Sequence, residues 1–240
     1  GVLRMASASV VTVFAVAVLG GVTVKLGNAP WTVVAHWTLA MMLLGMLAAA
    51  VVRTGAMGGA GARAQQAPRT FVRSAYLAAG AAFLTVAMGG LTANFPFAAV
   101  ACTTFPFCGP NPDAPASAVH IQLTHRTIAI LLALYLVWLA ATAGRHLTGP
   151  TIKRALHVAV ALVLLQIVIA ASMVLLHMPP ELRSLHEATG VAIWLATFTL
   201  AYLARIAAGL GPLGEGRPAL SPTPSPRAGG ATRPMVEVGS

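Results

Sequence analysis

Acidic residues are almost missing from this sequence. Five Asp and Glu stand among 240 residues, and all charged residues together make up 8%. A soluble domain carries about 25% charged residues. The shortage excludes an ordinary water-facing surface, because 58% of the chain is hydrophobic and its mean hydropathy is +0.81. A core of this size cannot hide that much apolar area from water, so lipid must solvate it. An Ala-x-Ala cleavage site leading into a soluble portion is also missing, which argues against a signal peptide. Alternating segments of about ten residues are absent, which excludes a closed transmembrane barrel. Cysteine is limited to two residues, too few to close a thiolate metal site without other ligands.

What is present is six apolar stretches, each long enough to cross roughly 30 Å of hydrocarbon. They cover approximately residues 5–24, 36–53, 72–93, 119–142, 152–176 and 185–204. The fold class expected is all-α, a polytopic transmembrane helical bundle. The 15 basic residues do not cluster with aromatic or polar partners, as a nucleic-acid surface requires. They sit in alternate loops instead. Arg53, Arg63, Arg69 and Arg73 lie between the second and third stretches, Arg145, Lys153 and Arg154 after the fourth, and Arg205, Arg217, Arg227 and Arg233 at the end. Residues 94–118 hold no Lys or Arg, loop 25–35 holds only Lys25, and loop 177–184 holds Glu181 and Arg183. The positive-inside rule puts both termini on the cytoplasmic side of a cell membrane. The Gly- and Ala-rich residues near 55–70 read as a cytoplasmic linker between 1–54 and 71–208. The Pro-, Gly- and Ser-rich residues 209–240 read as a disordered tail.

The two cysteines fall in one outer loop, within ACTTFPFCGPNP. An oxidising compartment permits a Cys102–Cys108 disulfide. The alternative is a pair of free or metal-linked thiols, with His120 the nearest further ligand. Three histidines share one depth near the outer side: His36, His125 and His186. Ionisable groups inside a membrane usually face the bundle interior and serve a function. Histidine is a common axial ligand of haem iron, and His125 and His186 can offer one ring each within the same bundle. Arg126 adjoins His125 and suits a carboxylate such as a propionate, or it reaches to the headgroups. His177, at the end of the fifth stretch, is a weaker candidate. His146 and His157 read as interfacial or packing residues. Gln122 and Gln166 are neutral groups able to hydrogen-bond between helices.

A shift of 150 residues lays VLGGVTVKLGNAPWTVVAHWTLA, from Val18, over VIAASMVLLHMPPELRSLHEATG, from Val168. Pro30 then falls on Pro180, and His36 on His186. This is an internal repeat: helix, proline-containing turn, histidine-bearing helix. His186 belongs to four consecutive helices and His36 to two, so a preceding pair of helices is expected for a complete first bundle.

Four stretches together resemble the haem A synthase family (CtaA/Cox15). They are LGGVTVKLGNAPWTVVAHWTLA, MGGLTANFPFAAVACTTFPFCG, HIQLTHR and LHEATG, in that order. The resemblance covers residues 5–206 and implies the third to eighth of eight transmembrane helices, the first two apparently lacking. It implies oxidation of the ring methyl of haem o to a formyl group, giving haem a for terminal oxidase assembly. It further implies haem b held by His125 and His186, the substrate haem o near His36 as the catalytic-site ligand, and Arg126 as a cofactor-binding residue. The outer pair Cys102 and Cys108 matches the family's disulfide. The family carries a glutamate three residues before a first-half histidine; the repeat-equivalent residue here is Gln122. Membrane lipid, haem O synthase and an electron donor are the expected partners, and nucleic acid is not. The main alternative is a b-type cytochrome that carries electrons without modifying haem.

Overall fold

The computed structural model describes residues 2–55, 67–143, 147 and 149–210. Most of the expected linker and all but the first residues of the expected tail lie outside the described residues, as does His146. Within them the chain is entirely helical apart from its loops. The long helices are α1 (Val2–Lys25), α2 (Pro30–Arg53), α3 (Arg69–Asn94), α4 (Ala116–Ala143), α5 (Pro150–Leu175) and α6 (Pro180–Ala207). A single 3-10 turn, Ala98–Val100, follows α3. Six of these helices are long and apolar enough to span a bilayer. Their exposed faces carry side chains such as Leu131, Leu134, Leu165 and Val168. This is a multi-pass membrane protein.

All six helices begin earlier than hydropathy suggests, α2 and α6 by the most. Proline opens α2, α5 and α6, where its missing N–H costs nothing and its fixed φ is already helical. Glu181 and Arg183 therefore belong to α6 rather than to a loop. His36 and His186 do not open their helices. Each is the seventh residue of its helix, about 9 Å in at 1.5 Å per residue.

The repeat is visible in the backbone. Gly27 and Asn28 have φ of 64° and 59°, and His177 and Met178 have φ of 61° and 64°. In both turns the second of these residues donates its N–H five residues back, Asn28 to the Thr23 carbonyl at 2.9 Å and Met178 to the Met173 carbonyl at 2.8 Å. These are Schellman-type closures, placed 150 residues apart. His177 thus lies in the turn after α5 and is exposed; it is not at a ligand position inside the helix.

Helices α3, α4, α5 and α6 each pack on the next, and α6 closes against α3. Ala78, Ala82, Leu132, Ala133, Leu136, Ala159, Val163 and Ile193 meet between them. The alanines of α3 let neighbouring backbones approach closely, which is how helices associate where no water drives them together. Helix α2 packs on α3 and α6, and α1 packs chiefly on α2. The α2–α6 contact is fixed by Trp194, whose indole N–H donates to the Met41 carbonyl at 3.1 Å. Toward the arginine-rich end, Arg53 Nε donates to the Tyr202 hydroxyl at 2.8 Å.

Candidate functional site: facing histidines under a disulfide loop

The loop between α3 and α4 is held closed by a Cys102–Cys108 disulfide with Cα atoms 4.8 Å apart. Free or metal-linked thiols are thereby set aside, and His120 is exposed rather than gathered to the sulfurs. Backbone pairing completes the loop: Thr103 N–H donates to the Gly109 carbonyl at 2.9 Å, and Asn111 N–H to the Ala101 carbonyl at 2.9 Å. The Thr104 hydroxyl donates to the Phe107 carbonyl and accepts from Gly109 N–H.

Two side chains of α4 anchor this loop. Gln122 is buried; its Oε1 accepts from Cys102 N–H, and its Nε2 donates to the Ala99 carbonyl at 3.3 Å. Arg126 donates to the Thr104 carbonyl at 2.8 Å and the Cys102 carbonyl at 3.3 Å. The sequence suggested a propionate or the headgroups for Arg126; in the structure its guanidinium is occupied by loop carbonyls. Gln122 thus fastens the loop through both ends of its amide. Both residues flank His125, so the loop and the histidine share one stretch of α4.

His125 faces His186 of α6. Their ring centroids are 6.5 Å apart and their planes meet at 75°. The His125 ring lies over Gly89 of α3, where an added Cβ would come within 3.2 Å of it. The Thr85 carbonyl, one turn earlier, interacts with this ring, yet Nδ1 is buried without a hydrogen bond of good geometry. On the other side, Gln166 of α5 reaches His186: its Nε2 is 3.0 Å from Nδ1 and 2.9 Å from the His186 carbonyl. A polar side chain deep in an apolar helix is costly unless bonded, and this contact is what it bonds to.

His36 is built in the same manner but separately. Its ring covers Gly20 of α1, where an added Cβ would meet it at 3.0 Å. Its Nδ1 lies 3.1 Å from the Val16 carbonyl. The structure brings His125 and His186 together and leaves His36 on the α1–α2 pair. His157 is exposed, in keeping with an interfacial role.

Sequence reasoning missed the two glycines and the Gln166–His186 bond. The signal was available: a Gly-Gly doublet lies on the helix before His36 and on the helix before His125, and Gln166 falls on Val16 under the same shift that pairs His36 with His186. Among the described residues no three His, Cys, Asp or Glu side chains gather into a metal cluster.

The profile of the family described as "Cytochrome oxidase assembly protein" (COX15-CtaA) matches residues 2–198. Among curated proteins no match is found.

Proposed function

The chain belongs to the COX15-CtaA family of cytochrome oxidase assembly proteins, and on that premise we propose that it is a haem A synthase. It oxidises the ring methyl of haem o to a formyl group and so yields haem a. The observation that carries the reading is the His125–His186 pair at 6.5 Å. With metal–imidazole bonds of about 2 Å, two rings on opposite sides of one metal ion have centres about 6 Å apart. Two donors alone do not complete a metal site, so the group they fit supplies its own remaining ligands, as a porphyrin does. Haem b would meet that requirement, and His125 and His186 are the residues that would hold it. Bound iron porphyrin supplies the one-electron chemistry that side chains lack.

The chain's own residues hold, orient and cover. Gly89 leaves the space that the His125 ring occupies. The disulfide loop, pinned by Gln122 and Arg126, covers the same end of α4 and limits water there. His36 presents a ring to the substrate haem o. Its Nδ1–H donates to the Val16 carbonyl, which orients the ring and leaves Nε2 free, the usual arrangement of a ligating histidine. Arg126, beside His125, supplies positive charge at the rim of the site. The protein sits in the cell membrane with the disulfide loop outside and both termini cytoplasmic. Taking a methyl to a formyl group is a net oxidation, so the reaction needs an oxidant such as dioxygen, with an electron donor to complete its reduction, and haem O synthase would supply the substrate.

The test is spectroscopic and chemical. The purified protein carries a low-spin haem b spectrum, and His125→Ala or His186→Ala abolishes it. An unchanged spectrum in both variants defeats the assignment. With haem o added, pigment extraction yields formyl haem. Retained haem b without that product favours an electron-carrying b-type cytochrome.

A further inference from the structure

Far from the histidines, at the arginine-rich end, the first turns of α3 lie beside the last turns of α4. A cleft of about 420 Å³ opens between them, within the size range of ligand sites. Its floor is apolar: Phe71 and Leu139 line it, and both are buried. Trp138 forms one wall and is 53% exposed. Thr70 and Ser74 bring hydroxyls to the α3 side. Tyr135 secures the arrangement one turn deeper. Its hydroxyl donates to the Ser74 carbonyl at 3.2 Å, and its ring lies 5.6 Å from that of Trp138. The cleft is therefore a gap between two helices that are bonded to each other, not a loose seam.

Depth narrows what can enter. Helix α3 has 26 residues and is about 39 Å long, against roughly 30 Å of hydrocarbon. Its first two turns, which line the cleft, reach the level where acyl chains meet headgroups. Tryptophan favours that level. Charge narrows it further. Arg69 and Arg73 are exposed, one turn apart on α3, and each precedes a hydroxyl residue of the cleft, Thr70 and Ser74. Neither arginine has an ion-pair partner among the described residues. The acidic residues placed in the structure, Asp113, Glu181 and Glu187, all lie toward the cysteine-loop end. Two positive charges thus stand at the mouth of an apolar slot with no carboxylate to neutralise them.

We propose that this cleft binds a phospholipid with an anionic headgroup. Arg69 and Arg73 hold the headgroup and its phosphate, with the Thr70 and Ser74 hydroxyls as further donors. One acyl chain lies in the slot against Phe71, Trp138 and Leu139. A zwitterionic lipid fills the slot equally well but carries its own cation to the arginines, so the preference is for net negative charge. The bound lipid would tie α3 to α4 at the end of the pair opposite the disulfide loop. This site is independent of the haem reading and stands or falls without it.

The experiment uses the purified full chain in detergent and phosphatidylglycerol or phosphatidylcholine brominated high on the acyl chains. Bromine quenches tryptophan on contact, and Trp138→Phe identifies the share of quenching that belongs to the cleft. Phosphatidylglycerol is expected to quench Trp138 at lower mole fraction than phosphatidylcholine. Arg69→Gln and Arg73→Gln should each weaken its binding about fivefold, the worth of one basic residue beside an anionic lipid. Both arginines are exposed, so these variants keep the fold. Ser74→Leu fills the slot, leaves both arginines in place and should reduce the quenching severalfold. Equal quenching by the two lipids overturns the proposal, as does a preference that survives loss of both arginines. Unchanged quenching in Ser74→Leu overturns the placement of the chain in the cleft. Displacement of the brominated lipid by inorganic phosphate would make this a free-anion site and overturn the lipid assignment.

Discussion

Gly89 and His125 stand so close that a Cβ on the glycine would lie 3.2 Å from the imidazole Cε1. Gly20 and His36 repeat the relationship at 3.0 Å. In each case one helix gives up a side chain so that the ring of the next can lie against its backbone. An alanine must push the ring by a few tenths of an ångström, which would misplace a ring proposed to hold haem. Gly89→Ala is expected to reduce haem b affinity about tenfold, the scale of a modest overpacking cost, with helix content unchanged. Haem titration followed in the visible spectrum measures it. Gly20→Ala should leave that spectrum intact and impair conversion of haem o, because it moves a different ring.

The disulfide loop gives a second expectation. Arg126 donates to the Thr104 and Cys102 carbonyls, and hydrogen bonds from a charged group are worth about 1.5–3 kcal/mol. Arg126→Ala should let the loop open more often and speed reduction of Cys102–Cys108 by a water-soluble phosphine by roughly tenfold. Arg126→Lys should recover only part of that protection, because an ammonium lacks the planar fork that spans two carbonyls. Equal reduction rates in all three proteins would mean that the guanidinium does not hold the loop.

How far the sequence already disclosed this molecule depends on the kind of signal. The membrane helices were legible because hydropathy over some twenty residues is a strong, local quantity. Their starts were not, because Pro30 and Pro180 extend α2 and α6 by six and five residues through polar or mixed sequence that hydropathy ignores. The pairing of His125 with His186 was legible from depth and order along the chain. Arg126 was legible only as a charge: its choice of loop carbonyls depends on how residues 95–115 fold back, which no periodicity records. Gln166 was visible as a buried polar residue, but its partner lies on another helix and emerges only when the repeat is read position by position.

The turn after α5 offers a test of stored backbone strain. His177 and Met178 have φ near +60°, where an L side chain costs about 1–2 kcal/mol. The equivalent turn after α1 carries Gly27 and Asn28, residue types that adopt this conformation readily. His177→Gly should therefore stabilise the protein by roughly 0.5–1 kcal/mol, since glycine's greater unfolded-state freedom offsets part of the gain. Thermal unfolding in detergent should show a higher midpoint. The haem spectrum should not change, because His177 is exposed in a turn and not among the facing histidines. A loss of bound haem would restore His177 as a ligand.

The α2–α6 contact sets a limit on substitution at Gly45. A Cβ there would lie 3.2 Å from Trp194 Cζ2 and 3.6 Å from the Phe198 ring. Trp194 has little room to yield, since it is buried, bonded to the Met41 carbonyl and in edge contact with Phe83 and Phe198. Gly45→Leu should wedge α2 away and destabilise the protein by about 1–3 kcal/mol. Trp194→Phe removes one hydrogen bond and should cost about 1 kcal/mol. Unfolding midpoints of the two variants would rank the effects, and a neutral Gly45→Leu would mean that α2 is not held closely against α6.

Orientation can be decided with single cysteines. The cysteine-loop side carries the first turn of α6, where Glu181 is exposed; the opposite side carries Thr54, also exposed, just beyond Arg53. Arg53, Arg69 and Arg73 gather at that second side, and residues 95–115 contain no Lys or Arg. Translocating arginine across a bilayer is unfavourable, so this asymmetry predicts the arginine-rich side to be cytoplasmic. The native cysteines do not interfere, because they are joined to each other. Glu181→Cys should react with an impermeant maleimide added to intact cells, and Thr54→Cys should react only after permeabilisation. The reverse pattern would turn the protein over. It would also put the disulfide in a reducing compartment, where glutathione and thioredoxin keep thiols reduced, so the labelling result and the persistence of Cys102–Cys108 must agree.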